Sequence, residues 1–361
     1  MSTASISGIY SADDGGSYFV RFVGSETGGR IFWFGEHPNG NFSNVLTAEV
    51  NVAPVGDICW LENVRWADVP KGRIGGGGSD LELAIINGQI LRSLDAGGFG
   101  GSRWIRATGE PRRMGPMLNP GFAGEGLTGI WDGDDGATYY VRQMGNQVFW
   151  FGESCALPGE IPAFANVFVG GLAGRNLSGE WADVPYGRNN GTGTLELLVE
   201  GNSMSQRAGT GGFSCRNWVR RQVARDTVVS SLSVFIATST QARADDLRGG
   251  SVEYGTVQLT GGRLLPKVNL NNGQSLQPGQ FDNSELPLPA GTRLSDLQAF
   301  ILEHDGAPRN LFDTYDNWDV GVVQINVRLR PNGCAYQYRR VVGQPVRRMT
   351  GQTTTMTVGL A

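Results

Sequence analysis

Three words of this chain are written twice, in the same order. Ile31-Phe32-Trp33-Phe34-Gly35-Glu36 returns as Val148-Phe149-Trp150-Phe151-Gly152-Glu153. Trp66-Ala67-Asp68-Val69-Pro70 returns as Trp181-Ala182-Asp183-Val184-Pro185, and Gly97-Gly98-Phe99 with Trp104 returns as Gly211-Gly212-Phe213 with Trp218. A repeated set of words means a repeated fold, so two homologous modules stand in tandem. The chain has 361 residues, enough for a third domain as well. The expected division is 1–107 for the first module, 108–126 for a proline- and glycine-bearing linker, 127–225 for the second module and 226–361 for a C-terminal domain.

Within a module, short apolar runs are cut by glycine turns. Glycine accounts for 55 residues, well above the average usage of ~7%. That density suits short strands and tight turns and argues against long helices. In the second module strands are expected near 127–131, 138–143, 147–153, 165–170, 177–182, 194–200, 203–207 and 217–222. About eight short antiparallel strands close best into a barrel, which leaves no exposed edge; an open sandwich is the other solution. The C-terminal domain shows clean alternation in Val323, Ile325, Val327 and Leu329 against Gln324, Asn326, Arg328 and Arg330, which predicts an antiparallel β-sandwich. Strands are expected there near 227–239, 251–259, 263–270, 297–303, 320–330, 336–342 and 353–360, with a polar loop reaching about residue 283. The fold class is therefore all-β: two tandem small barrels and a sandwich.

The Phe-Trp-Phe strand breaks the rule of one apolar face. Val148 and Trp150 point one way, and Phe149 and Phe151 the other. Leaving a phenylalanine in water forfeits ~1.5–3 kcal/mol. The outer face of this strand must then be covered by the sister module, the third domain or another subunit, or else line a ligand groove.

Several chemistries are excluded. The chain holds two histidines, His37 and His304, in different domains, so the paired modules carry no repeated Ser-His-Asp triad and no histidine-rich metal site. A glycine-rich phosphate loop, a nucleophile elbow and a His-Glu-x-x-His motif are all missing. The net charge of −4 gives no case for nucleic acid. Arg328, Arg330, Arg339, Arg340, Arg347 and Arg348 gather near the C-terminus, as a solvated strand face or as a phosphate or anionic-lipid surface. Cys155 and Cys215 lie in one module and pair if the compartment oxidises; otherwise they are buried thiols. The N-terminus lacks a signal-peptide pattern, which points to the cytoplasm, although a signal-less export route would look the same.

Carboxylates and aromatics remain. Glu36 and Asp68 correspond to Glu153 and Asp183. Two such groups facing each other suit glycosidic cleavage, but Asp-Asp-Gly and Asp-Val-Pro also read as turn chemistry. Trp33, Trp66, Trp150 and Trp181 recur beside Asn44, Asn166, Arg21 and Arg142. Indoles flanked by such groups either stack on a sugar ring or fill the barrels. In the C-terminal domain Asp245, Asp246, Asp316 and Asp319 either cluster as oxygen ligands for calcium or serve as ordinary turns.

The ordered words Gly-Ile-Trp, Asp-Asp-Gly, Tyr-Tyr-Val-Arg, Phe-Trp-Phe-Gly-Glu, Trp-Ala-Asp-Val-Pro and Gly-Gly-Phe resemble a repeat of uncharacterised bacterial all-β proteins. The resemblance covers the first two-thirds of the chain and implies architecture without an activity. Asp245-Asp246-Leu247-Arg248-Gly249-Gly250 and Asp316-Asn317-Trp318-Asp319 loosely resemble sandwiches of the PLAT or C2 kind, which implies a lipid or protein partner and calcium. The expectation is a non-enzymatic binding protein, with glycan on the duplicated modules and the sandwich docked to a partner or surface. A carboxylate-dependent glycoside hydrolase and a structural, assembly or toxin component, self-associating as a homo-oligomer, are the other classes.

Overall fold

The computed structural model describes residues 6–51, 58–78, 81–95, 98–111, 113–118, 124–156, 160–241, 243–308, 314–331 and 333–360. The first module comprises β1 (Gly8–Ala12), β2 (Ser17–Ser25), β3 (Gly28–Glu36), β4 (Ser43–Asn51), β5 (Ile58–Asp68), β6 (Gly77–Gly78), β7 (Leu81–Ile86), β8 (Gln89–Asp95) and β9 (Arg103–Arg106). Its strands run β4-β3-β2-β1-β9-β8-β7-β5, and a β4–β5 pairing closes the ring, with β6 added on β5. The second module comprises β10 (Gly129–Gly133), β11 (Thr138–Met144), β12 (Gln147–Glu153), β13 (Ala165–Ala173), β14 (Asn176–Asp183), β15 (Thr192–Glu200), β16 (Ser203–Gly209) and β17 (Asn217–Arg220), joined in a closed barrel. Both expected barrels are present, and all their pairings are antiparallel.

Register explains the repeated words. Trp33 pairs with Leu46 and Leu46 with Trp66; Trp150 pairs with Phe168 and Phe168 with Trp181. Directly opposed residues share a face, so each pair of tryptophans points to one side. That side is the interior. Trp33, Trp66, Trp104, Tyr18 and Phe99 pack in one barrel, and Trp150, Trp181, Trp218, Tyr139 and Phe213 in the other. The two interiors are separate cores.

The outer face of the Phe-Trp-Phe strands is covered by the sister module. Phe34 and Phe151 stack with ring centroids 3.6 Å apart and planes 8° apart. These residues are equivalents in the repeat, and equivalent residues meet only on a two-fold axis. A further cross-barrel pair obeys the same symmetry: Arg21 acts on Asp183 as Arg142 acts on Asp68. The two modules and their joining segment up to Pro116 form one compact unit.

The second unit, from Val223 onward, comprises β18 (Ser231–Thr238), β19 (Val252–Leu259), β20 (Val268–Asn269), β21 (Phe281–Leu286), β22 (Leu297–Asp305), β23 (Trp318–Arg328), β24 (Tyr336–Met349) and β25 (Thr355–Gly359). Two four-stranded sheets, β21-β18-β23-β24 and β20-β19-β22-β25, enclose one core that includes Val234, Ile325, Val257 and Phe300. This is the expected sandwich. Part of the predicted linker belongs to it instead: Leu118 enters its core and donates to Gln337 O at 3.0 Å. Cys215 is a buried free thiol, the second of the two readings offered for it, and does not pair with Cys155.

Candidate functional site

After β5 and β14 the repeated word turns the chain onto the axis. Val69 N–H donates to Ser43 O at 2.7 Å and Val184 N–H to Ala165 O at 2.9 Å. Gly72 and Gly187 then run so close to the backbone of Phe42 and Phe164 that a Cβ would collide. These tight turns hold the intervening residues, Lys71 and Tyr186, against the neighbouring barrel.

The ammonium of Lys71 is wholly buried there. It donates to Glu153 Oε2, to Met114 O and to Tyr186 Oη, each at 2.8 Å, and lies 3.4 Å from Glu36 Oε2. The rings of Tyr186, Phe151, Phe34 and Tyr140 surround it at 4.6, 4.9, 5.5 and 5.8 Å. Met114 N–H donates to Glu36 Oε1 at 2.9 Å, and Tyr140 O–H donates to Glu153 Oε1 at 3.0 Å. Tyr186 O–H donates to Met114 O. Glu36 Oε2 has no hydrogen-bond donor among the described residues. Burial raises the Glu153 carboxyl to about 7, against the pull of Lys71, with Glu36 pushing the same way as burial. Burial and the two carboxylates also raise the Tyr186 hydroxyl, which keeps its proton. The void beside Glu153, Met114 and Tyr186 is ≈10 Å³, too small for any substrate.

The sequence singled out Glu36 and Glu153, and the fold brings them together around one cation. It missed Lys71, Tyr186, Tyr140 and Met114. A signal was available: immediately after the unchanged word, the chain reads Lys71-Gly72 in one copy and Tyr186-Gly187 in the other.

The stacking platform expected at Trp33, Trp66, Trp150 and Trp181 does not form. All four rings are buried in the barrels, because closing each sheet turns their face inward. Asn44 and Asn166 are buried with them, accepting from Trp33 Nε1 at 3.2 Å and Trp150 Nε1 at 3.0 Å. Asp68 accepts from the amides of Gly75 and Gly76, and Asp183 from that of Gly191, so both shape the loops that follow their words. Burial raises both carboxyls, Asp183 to about 6.

The four aspartates of the C-terminal domain serve loops and an arginine. Arg348 bonds Asp319 at 3.0 Å and also Asp245, so a guanidinium lies between two of the four. Asp316 accepts from the Arg248 amide, and Asp246 from Gln277 Nε2. Among the described residues no three metal-ligating side chains converge.

An indole is exposed elsewhere. On β5, Cys59 and Leu61 point inward and Trp60 and Glu62 outward. Asn63 then adds a residue in the left-handed region, φ 52°, so that Val64 and Trp66 regain the interior. Trp60, 49% exposed, borders a groove of ≈850 Å³ with Glu62, Asn63, Arg65, Glu82 and Gln147. Counting back from Trp181 without the extra residue, the second barrel has Asn176 at this place.

No family model and no curated protein matches this chain. Among solved structures it is similar to the DNA polymerase sliding clamp from Pseudomonas aeruginosa with ligand, at 10% identity over 95% of this chain and 92% of that one, with a TM-score of 0.13. The same clamp without that description of a ligand is similar at 10% identity and TM-score 0.13, over 94% of this chain and 92% of the other. A likeness of that size bears on neither fold nor function.

Proposed function

We propose that this is a non-enzymatic binding protein that takes carbohydrate in the Trp60 groove. The observation that carries this reading is the half-exposed indole bordered by polar side chains. The Arg65 and Gln147 side chains make no hydrogen bond among the described residues, and the Glu62 and Glu82 carboxylates, which accept from Asn51 and Ser93, line the same groove. A sugar ring lays its C–H face on an indole and satisfies its hydroxyls with such donors and acceptors. In the same reading the sandwich anchors the barrels to a partner or surface.

The hydrolase reading has less support. Glu36 and Glu153 hold a common lysine behind aromatic walls, where a glycoside has no access. Asp13 and Asp134 accept from Ser102 and Arg216, and Asp14 and Asp135 from Tyr18 and Tyr139.

A glycan array followed by calorimetry tests the proposal. Trp60→Ala should weaken binding about tenfold, the loss of ~1.5 kcal/mol of aromatic stacking, without lowering the melting temperature. Folded wild-type protein with no signal above background removes the reading.

A further inference from the structure

We propose that Lys71 and Glu153 condense spontaneously into an intramolecular amide that joins the two barrels covalently. Four observations converge on this. The nucleophile Nζ and the Glu153 carboxyl are in hydrogen-bond contact at 2.8 Å. Tyr140 O–H holds the other oxygen of the same carboxyl, where negative charge would develop during attack. A second carboxylate, Glu36, presents an oxygen with no donor 3.4 Å from Nζ. Four aromatic rings exclude the water that would otherwise solvate the charges and reverse the condensation. An ordinary structural ion pair needs only the first of these.

The atoms balance without oxidant or cofactor. Glu36 takes one ammonium proton. The amine keeps its bonds to Met114 O and Tyr186 Oη and turns its lone pair to Cδ of Glu153. The N–C bond forms, and Oε1 carries the charge against Tyr140. Oε2 already carries the proton of the neutral Glu153 carboxyl; Glu36 returns its own proton to that oxygen as the C–Oε2 bond breaks and takes the second nitrogen proton. Water leaves, and an amide and a neutral Glu36 carboxyl remain. Burial supports the step by keeping Glu153 protonated up to about 7, since a neutral carboxyl is the better electrophile.

The symmetry of the interface explains why only one such bond is available. The two glutamates are equivalents, but lysine occupies one of the two equivalent turn positions and Tyr186 the other. The single nucleophile has one acceptor in contact and one proton carrier behind it.

Intact-mass measurement on the reduced full chain decides the matter. The wild-type chain should be lighter than its sequence by one water, and a digest should yield one peptide pair joined at Lys71 and Glu153. Lys71→Arg keeps a cation but should restore the full mass. Glu36→Gln, close in shape, should also restore it by removing the proton carrier. Wild-type protein that melts cooperatively yet shows its full sequence mass overturns the proposal, and that reading depends on no variant. Loss of water persisting in Lys71→Arg also overturns it.

Discussion

At Lys71 one side chain satisfies both barrels, and its removal leaves two carboxyl groups in the seam with no cation. Breaking a buried pair in this way costs about 3–5 kcal/mol. Lys71→Met should therefore lower the melting temperature far more than Tyr186→Phe. The latter keeps the ring against Phe34 and Phe151 and loses one hydroxyl, a cost of about 1–2 kcal/mol. Comparing the two melts in one buffer checks the order. How far this site could be read in advance depended on the kind of residue. Glu36 and Glu153 were legible because they close a repeated word. Lys71 was not, because it stands where the copies differ and its partners come from the other barrel. Tryptophans in a repeated word fit a core and a ligand platform equally well. Only the pairing of Trp33 and Trp66 through Leu46 assigns them to the interior.

The outward turn of Trp60 is a property of its strand. β5 opposes Ala48 with both Asn63 and Val64, since Thr47 pairs with Arg65 and Glu49 with Glu62. The extra residue is absorbed at positive φ, which asparagine tolerates and a β-branched residue does not. Asn63→Gly keeps the positive φ and should leave stability nearly unchanged. Asn63→Val should cost about 1–3 kcal/mol and weaken binding at Trp60, read by thermal melting and calorimetry. Elements with strong alternation, such as β23 and β15, were legible from sequence. β21 was not: Phe281-Asp282-Asn283-Ser284-Glu285-Leu286 is an edge strand whose polar residues were assigned to a loop. β24 continues to Met349, well past the predicted end, because Arg347, Arg348 and Met349 still pair with Val320, Asp319 and Trp318 of β23. β20 is shorter than its apolar run suggested, pairing only Val268 and Asn269 with β19.

Across the whole molecule, the duplicated words told that there are two barrels, and the doubly apolar strand told that its outer face is covered. The choice of cover lies in the match between Phe34 and Phe151, which periodicity does not encode. The buried carboxyls give the complete fold a pH dependence of definite sign. Glu253 sits in the sandwich with no hydrogen bond to either carboxyl oxygen among the described residues; burial, with Asp282 nearby, raises it to about 8. Asp183 is raised to about 6. Each group holds its proton more tightly folded than unfolded. Between the unfolded and folded values the native state therefore binds more protons, and stability falls as pH rises. The expected window runs from roughly pH 4 to 8, with a plateau above it. Asp13 and Asp134 are lowered by hydrogen bonds from Ser102 and from Arg216 and Asn217, which outweigh their slight burial, so they act oppositely and withdraw stability only at more acid pH. The melting temperature should thus be higher at pH 5 than at pH 8. Glu253→Gln should raise it at pH 8 and flatten the slope, because the amide never has to lose a proton in the core. Glu153 adds to that slope only while it remains a free carboxyl. Wild-type and Glu153→Gln protein with the same slope below pH 7 would mean that this group does not titrate, as the amide requires; a steeper wild-type slope would mean that it does.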